Sequence, residues 1–143
     1  MLNYKIRKLD ENDYDNYLIL INMFRQSYFT KDQFRNVLKN LNNNDIWIIE
    51  MDNKIIATGT ILYETKFIHN ICKLAHLEDI CIHEEYRSKK FGIILMKHLI
   101  NESKKNNCYK ISLYCKEDLE NFYKKVGFQK NNIEMNLYLK NIQ

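Results

Sequence analysis

The residues best equipped for chemistry lie between Lys66 and Gly92. There, Arg87-Ser88-Lys89-Lys90-Phe91-Gly92 forms a basic turn between an alternating apolar stretch (Leu77, Ile80, Ile82) and an amphipathic segment at 93–104. A strand, a positive turn and a helix start together make a device for holding phosphates. Backbone N–H groups converge, the helix dipole adds partial positive charge, and the side chains add full charges. The same residues could also form a solvated basic turn before an ordinary helix. Just upstream, Glu78 and Asp79 are adjacent carboxylates, which suggests acid–base work. Neighbours on a strand point to opposite faces, so one of them would line a pocket and the other anchor the sheet or an interface. A surface ion pair is the alternative. Farther on, Phe122-Tyr123 offers a phenol with a reference pKa of about 10, protonated at neutral pH and able to give its proton to a leaving group. Two core aromatics would read the same way. Cys115 has no basic partner in sequence and is not assigned as a nucleophile.

These residues need elements to position them. Tyr4–Leu9 alternates and predicts an opening strand. Residues 12–25 carry Tyr14, Tyr17, Leu18, Ile21 and Met23 or Phe24 at helical spacing. Thr30-Lys31-Asp32-Gln33 is a capping box that starts a second helix running to about Leu41. Strands are expected at 46–51 and 54–63 around an Asp52-Asn53 hairpin turn, then at 74–82. After the helix at 93–104 come a strand at 110–115, a short helix at 117–126 ended by Gly127, and a last strand at 133–139. This order predicts an α/β (α+β layered) fold with a mixed, mainly antiparallel sheet flanked by helices, in one domain over residues 1–143.

Composition narrows the function classes. A chain of 143 residues, 45% hydrophobic, can build one real core. Its formal net charge of +4 suits an anionic small molecule. The basic residues are scattered, with no finger spacing or aromatic RNA-binding motif, so nucleic acid is not expected as a partner. Neither a membrane-spanning run nor a signal-peptide pattern is evident, so no membrane partner is expected and the cytoplasm is the expected compartment. Cys72, Cys81, Cys108 and Cys115 form no C-x-x-C pair. Cys81 and Cys115 lie in apolar strand patterns and are expected to be buried free thiols.

The basic turn resembles the acetyl-CoA motif [Q/R]-x-x-G-x-[G/A] of the GNAT N-acetyltransferase superfamily. Arg87 fills the first place and Gly92 the last, with Lys90 where the middle glycine is expected. The element order is also that of GNAT domains. The likeness extends to the glucosamine 6-phosphate N-acetyltransferase family, whose segments K-F-I-H, H-I-E-D, C-Y-K-I, F-Y-x-K-x-G-[FY] and E-M match Lys66–His69, His76–Asp79, Cys108–Ile111, Phe122–Phe128 and Glu134–Met135. The chain departs from that family at Tyr114, Leu119 and Tyr138, and in lacking L-T-x-x-G near Met23–Ser27.

The resemblance implies direct acetyl transfer from acetyl-CoA to the amine of D-glucosamine 6-phosphate in a ternary complex, without a metal, as a step toward UDP-N-acetylglucosamine. It implies Tyr123 as general acid, with Glu78 orienting the amine. Lys66, Phe67, Ile68, His69 and Asp79 would contact the sugar phosphate, as would Asn107 and Cys108 across a homodimer interface. The cosubstrate would lie along Glu78, Asp79 and Ile80, with its phosphates at Arg87, Ser88, Lys89, Lys90, Phe91 and Gly92, and near Tyr114. Two rival readings remain: a GNAT enzyme acting on a peptide or polyamine, and a non-catalytic acyl-CoA sensor.

Overall fold

The computed structural model describes residues 2–142. They divide into two compact units, Met1–Leu113 and Tyr114–Gln143. The first holds a five-stranded sheet in sequential order: β1 (Lys5–Lys8), β2 (Asn44–Met51), β3 (Lys54–Lys66), β4 (Cys72–Ile82) and β5 (Lys110–Leu113). Neighbours from β1 to β4 are antiparallel, and β5 runs parallel to β4. The hairpin between β2 and β3 turns on Asp52 and Asn53, both at positive φ (51° and 59°), the geometry that matches strand twist.

Three helices cover this sheet: α1 (Tyr14–Phe24), α2 (Lys31–Asn40) and α4 (Phe91–Lys105). A single turn, α3 (Ile68–Ile71), links β3 to β4. Thr30 and Gln33 form both bonds of the expected capping box at the start of α2. Under α1 and α2, Leu9, Leu20, Phe34, Ile48, Ile55 and Cys81 form one buried cluster. Leu20, absent from the expected helix face, is fully buried, whereas Phe24 is exposed. On the other sheet face, α4 buries Phe91, Leu95, Met96 and Leu99, each such side chain contributing about 1.5–3 kcal/mol. Gly59 of β3 makes that approach possible, since a Cβ there would stand 2.8 Å from Leu99 Cδ1 and 2.9 Å from Ile80 Cδ1.

In the second unit a 3-10 turn, Glu117–Leu119, leads into α5 (Glu120–Lys125), and Gly127 closes the helix at φ 102°, as its position predicts. Two expectations fail here. Residues 133–139 form no strand, and Ile133, Met135, Leu137, Tyr138 and Leu139 are all more than 80% exposed. Alternation supplies a two-faced segment, but a strand also needs a neighbour for its backbone groups, and among the described residues none pairs with this one. The strand expected at 110–115 ends at Leu113, so Cys115 is exposed instead of buried. Among the described residues no helix is long and apolar enough to cross a membrane.

Candidate active site

The site is built on an irregularity in β4. Thr60 pairs with Glu78 and Thr58 with Cys81, so Asp79 and Ile80 together face the single residue Gly59. This is a β-bulge, and Asp79 takes the left-handed conformation at φ 51°. The bulge overturns the simple alternation expected of Glu78 and Asp79, because both side chains are exposed. Ile80 leans onto Gly59 beneath α4. The ladder with β5 ends at Leu77–Leu113, so β4 beyond Leu77 has no β5 partner. A strand edge that leaves its ladder beside a bulge can accept an extended ligand as an added strand through its backbone N–H groups.

The basic turn lies at the end of this strand. His83 Nδ1 accepts from the Glu85 N–H (3.2 Å), holding a one-turn 3-10 segment, Glu84–Tyr86. Arg87 Nε donates to the Ile82 carbonyl (3.2 Å), and Lys89 Nζ lies 5.0 Å from the Tyr86 ring centre. Lys90, the residue before α4, sits at φ 67°, a left-handed position that glycine fills without strain. Its side chain makes no capping bond, and the first helical bond runs from the Ile94 N–H to the Lys90 carbonyl. The amides of Phe91, Gly92 and Ile93 therefore precede the helical ladder. Ser88, Lys89 and Lys90 are exposed around them. The arrangement fits a diphosphate.

The Lys66–His69 segment ends β3 and enters α3. His69, Asn70 and Ile71 all have positive φ (53°, 60°, 67°), unusual for non-glycine residues and most so for a β-branched one. Phe67, Ile68 and Ile71 are exposed, and the His69 ring lies 5.3 Å from that of Tyr109. This brings the segment beside the Asn107-Cys108 turn of the same chain. Thr65, Ile71, Cys72, Lys73, Asn107 and Tyr109 line a shallow depression of about 380 Å³ there. A larger cavity, about 550 Å³, lies among Lys8, Arg35, Lys39 and Asp45 and includes none of the expected site residues.

Tyr123 stands in the second unit, 8% exposed, with Phe122 and Phe128 edge-on at 5.0 and 6.1 Å. Burial raises its phenol above the ordinary value, and Cys115 adds to the effect. Tyr114, assigned to the cosubstrate, is exposed.

The profile of the Acetyltransferase (GNAT) family matches residues 10–128. The chain belongs to that family. It is 36% identical over 140 residues to glucosamine 6-phosphate N-acetyltransferase 1 of Dictyostelium discoideum, covering 93% of this chain and 89% of that protein. It is 30% identical to the Candida albicans glucosamine 6-phosphate N-acetyltransferase, with 92% and 93% covered. The crystal structure of the Arabidopsis thaliana glucosamine 6-phosphate N-acetyltransferase superposes with a TM-score of 0.89 at 29% identity, over 96% of this chain and 99% of that one. The fold expected from element order is therefore the fold found.

Two residues near the bulge escape sequence reasoning. Tyr17 of α1 reaches Thr58 and the neighbourhood of Asp79, and burial pushes its phenol up to about 12. It reads in sequence only as part of an apolar helix face. His76 Nε2 stands 3.3 Å from Glu64 Oε1, across the strand pair. Its signal was available, because His76 and Glu78 are two apart on a strand, but its partner sits on β3 and cannot be identified before the register is known.

Proposed function

We propose that this chain transfers the acetyl group of acetyl-CoA to the amine of D-glucosamine 6-phosphate. The product, N-acetyl-D-glucosamine 6-phosphate, would feed UDP-N-acetylglucosamine synthesis in the cytoplasm, through one domain spanning residues 1–143. The observation that carries this reading is the stretch of β4 from the Asp79 bulge, past the end of the β5 ladder, to the uncapped, cationic start of α4. The relatives' names supply the acceptor. Acetyl-CoA would lie along that stretch, with the Ile80 N–H donating to the thioester oxygen as charge develops. A donor of this kind is worth about 3–4 kcal/mol. Arg87, Ser88, Lys89 and Lys90, with the amides of Phe91 and Gly92, would hold the phosphates, and Tyr114 would flank the cofactor. Lys66, Phe67, Ile68, His69 and Asp79 would bind the sugar phosphate, and Glu78 would orient its amine. Tyr123 would protonate the departing thiolate. Transfer would be direct, in a ternary complex.

A homodimer belongs to the same reading, with Asn107 and Cys108 reaching the partner's substrate. The exposed alternation of residues 133–139 and the exposed Phe67, Ile68, Ile71 and Tyr109 support a second copy covering them. The deciding experiment offers acetyl-CoA with a panel of amines and follows thiol release. Glucosamine 6-phosphate should give the highest kcat/KM. Preference for spermidine or a peptide would overturn the assignment. Light scattering on the same preparation should return twice the mass of one chain, and a monomer would remove the dimer.

Lys90 exchanges conformational ease for charge. Lys90→Gly should raise Tm by about 2–4 °C, from roughly 1 kcal/mol of relieved left-handed strain. It should also weaken acetyl-CoA binding about 3- to 10-fold by calorimetry, the worth of an exposed charged contact. Unchanged affinity would show that the ammonium does not touch the phosphates.

A further inference from the structure

We propose that His76 is the proton acceptor for the acceptor amine, and that Glu64 is the carboxylate that positions it. This rests on the acetyl-transfer reading and deepens it. His76 and Glu78 are two apart on β4, ahead of the bulge, and so share one face of the sheet. The opposite face carries Ala75, paired with Tyr63, whose hydroxyl accepts from Asn106 Nδ2 at the end of α4. His76 therefore points away from α4, and its side chain is 26% exposed. On β3, Leu62 lies opposite it and Glu64 diagonally across. Glu64 Oε1 is 3.3 Å from His76 Nε2 and 3.7 Å from Lys66 Nζ. One carboxylate thus links the expected sugar-phosphate segment to an imidazole two residues from Glu78.

When His76 Nε2–H donates to Glu64, the neutral ring keeps Nδ1 as an acceptor. Nδ1 takes one N–H proton from the substrate ammonium, directly or through one water. The freed lone pair forms the C–N bond to the acetyl carbonyl carbon as the C–S bond breaks. Sulfur keeps the bonding electrons and takes a proton, nitrogen loses its second proton to water, and His76 returns its own to water. One proton is released overall. The groups facing His76 are Glu64 and Lys66 on β3, Glu78 on β4 and Lys110 on β5, while α1 brings Tyr17 to the far end of β4 near Asp79. Glu64 is the one of these placed against Nε2, so it fixes the orientation of the ring.

Steady-state pH profiles with glucosamine 6-phosphate test this. His76→Gln should lower kcat about 100-fold, leave the sugar-phosphate KM within about threefold, and remove the acidic limb set by the imidazole. His76→Ala should regain turnover when imidazole is added to the buffer. Glu64→Gln should lower kcat by about tenfold or less while the sugar-phosphate KM stays within about threefold, and Glu64→Asp should recover part of the loss. Glu64→Gln also serves as the test if either His76 variant fails to fold. A wild-type protein inert toward glucosamine 6-phosphate would sink the parent reading. An active wild type whose acidic limb stays in place in His76→Gln, or whose kcat is unchanged in Glu64→Gln, would sink this inference alone.

Discussion

Tyr123→Phe should lower kcat by about 100- to 1,000-fold, the range that loss of a positioned general acid produces. Acetyl-CoA affinity by calorimetry should stay within about twofold of wild type, because only the proton donor is removed. The substitution is clean for a structural reason. The ring is 8% exposed and packs edge-on against Phe122 and Phe128, contacts that phenylalanine preserves. Burial also keeps the phenol protonated to higher pH than an ordinary tyrosine, with Cys115 adding to the effect. A donor of this type is present throughout the neutral range, so any alkaline limb that it sets should lie above the usual phenol value. Wild-type turnover in Tyr123→Phe would transfer the role elsewhere. Loss of acetyl-CoA affinity would make the hydroxyl a binding contact instead of an acid.

The two outcomes together also separate an enzyme from a sensor. A protein that only bound acyl-CoA would have no turnover to lose, and Tyr123→Phe would leave every measurable property unchanged. Family membership places the chain among acetyltransferases, and the variant asks whether this particular phenol performs the expected step.

What the sequence could disclose followed from how local each signal is. The Thr30–Gln33 capping box, the Asp52-Asn53 hairpin and the Gly127 helix end are set by residues within a few positions of one another, and each forms as expected. The basic turn before α4 was legible for the same reason. The bulge at Asp79 was not. Nothing in Glu78-Asp79-Ile80 marks an extra residue, which becomes visible only when Thr58 and Thr60 are matched against β4. The Glu64–His76 pair has the same origin, since two residues twelve apart in sequence meet through strand register. The missing strand at 133–139 is the converse case. Its pattern is local and plain, but pairing is not a local property, and in the single chain those side chains remain in solvent. Cys115 lies outside the strand its apolar pattern predicts because β5 stops two residues before it, and no residue type at 113–115 signals that end.

The largest loss of stability should come from Asp13→Ala, at about 2–4 kcal/mol by urea denaturation at pH 7, somewhat below the usual cost of breaking a fully buried pair. Asp13 is 7% exposed and accepts from Arg7 Nη1 at 2.7 Å, from Arg7 Nη2 at 2.8 Å and from the Asp10 N–H at 2.8 Å. Arg7 Nε donates at the same time to Glu50 of β2 (3.0 Å), so one guanidinium ties β1, β2 and the entry to α1 together. Removing Asp13 leaves a half-buried cation with a single strong partner and frees the Asp10 N–H. Burial alone would raise the Asp13 pKa, but the Arg7 bonds and the Asp10 N–H outweigh it and hold the carboxyl below its ordinary value. The unfolded chain then binds more protons than the folded one as pH falls. The stability that Asp13 supplies is complete above the unfolded carboxylate pKa and disappears as pH drops through the lower folded value. Asp13→Asn, which keeps the shape without the charge, should therefore lose stability at pH 7 and show a flatter acid limb than wild type. Equal acid limbs would show that other carboxylates govern acid unfolding. The consequence reaches the proposed site, because the helix pinned here is the one that seats Tyr17 and Leu20 against the strand of the bulge. Near Tm, activity should fail in Asp13→Ala in step with unfolding, while kcat per folded molecule at 25 °C stays near wild type.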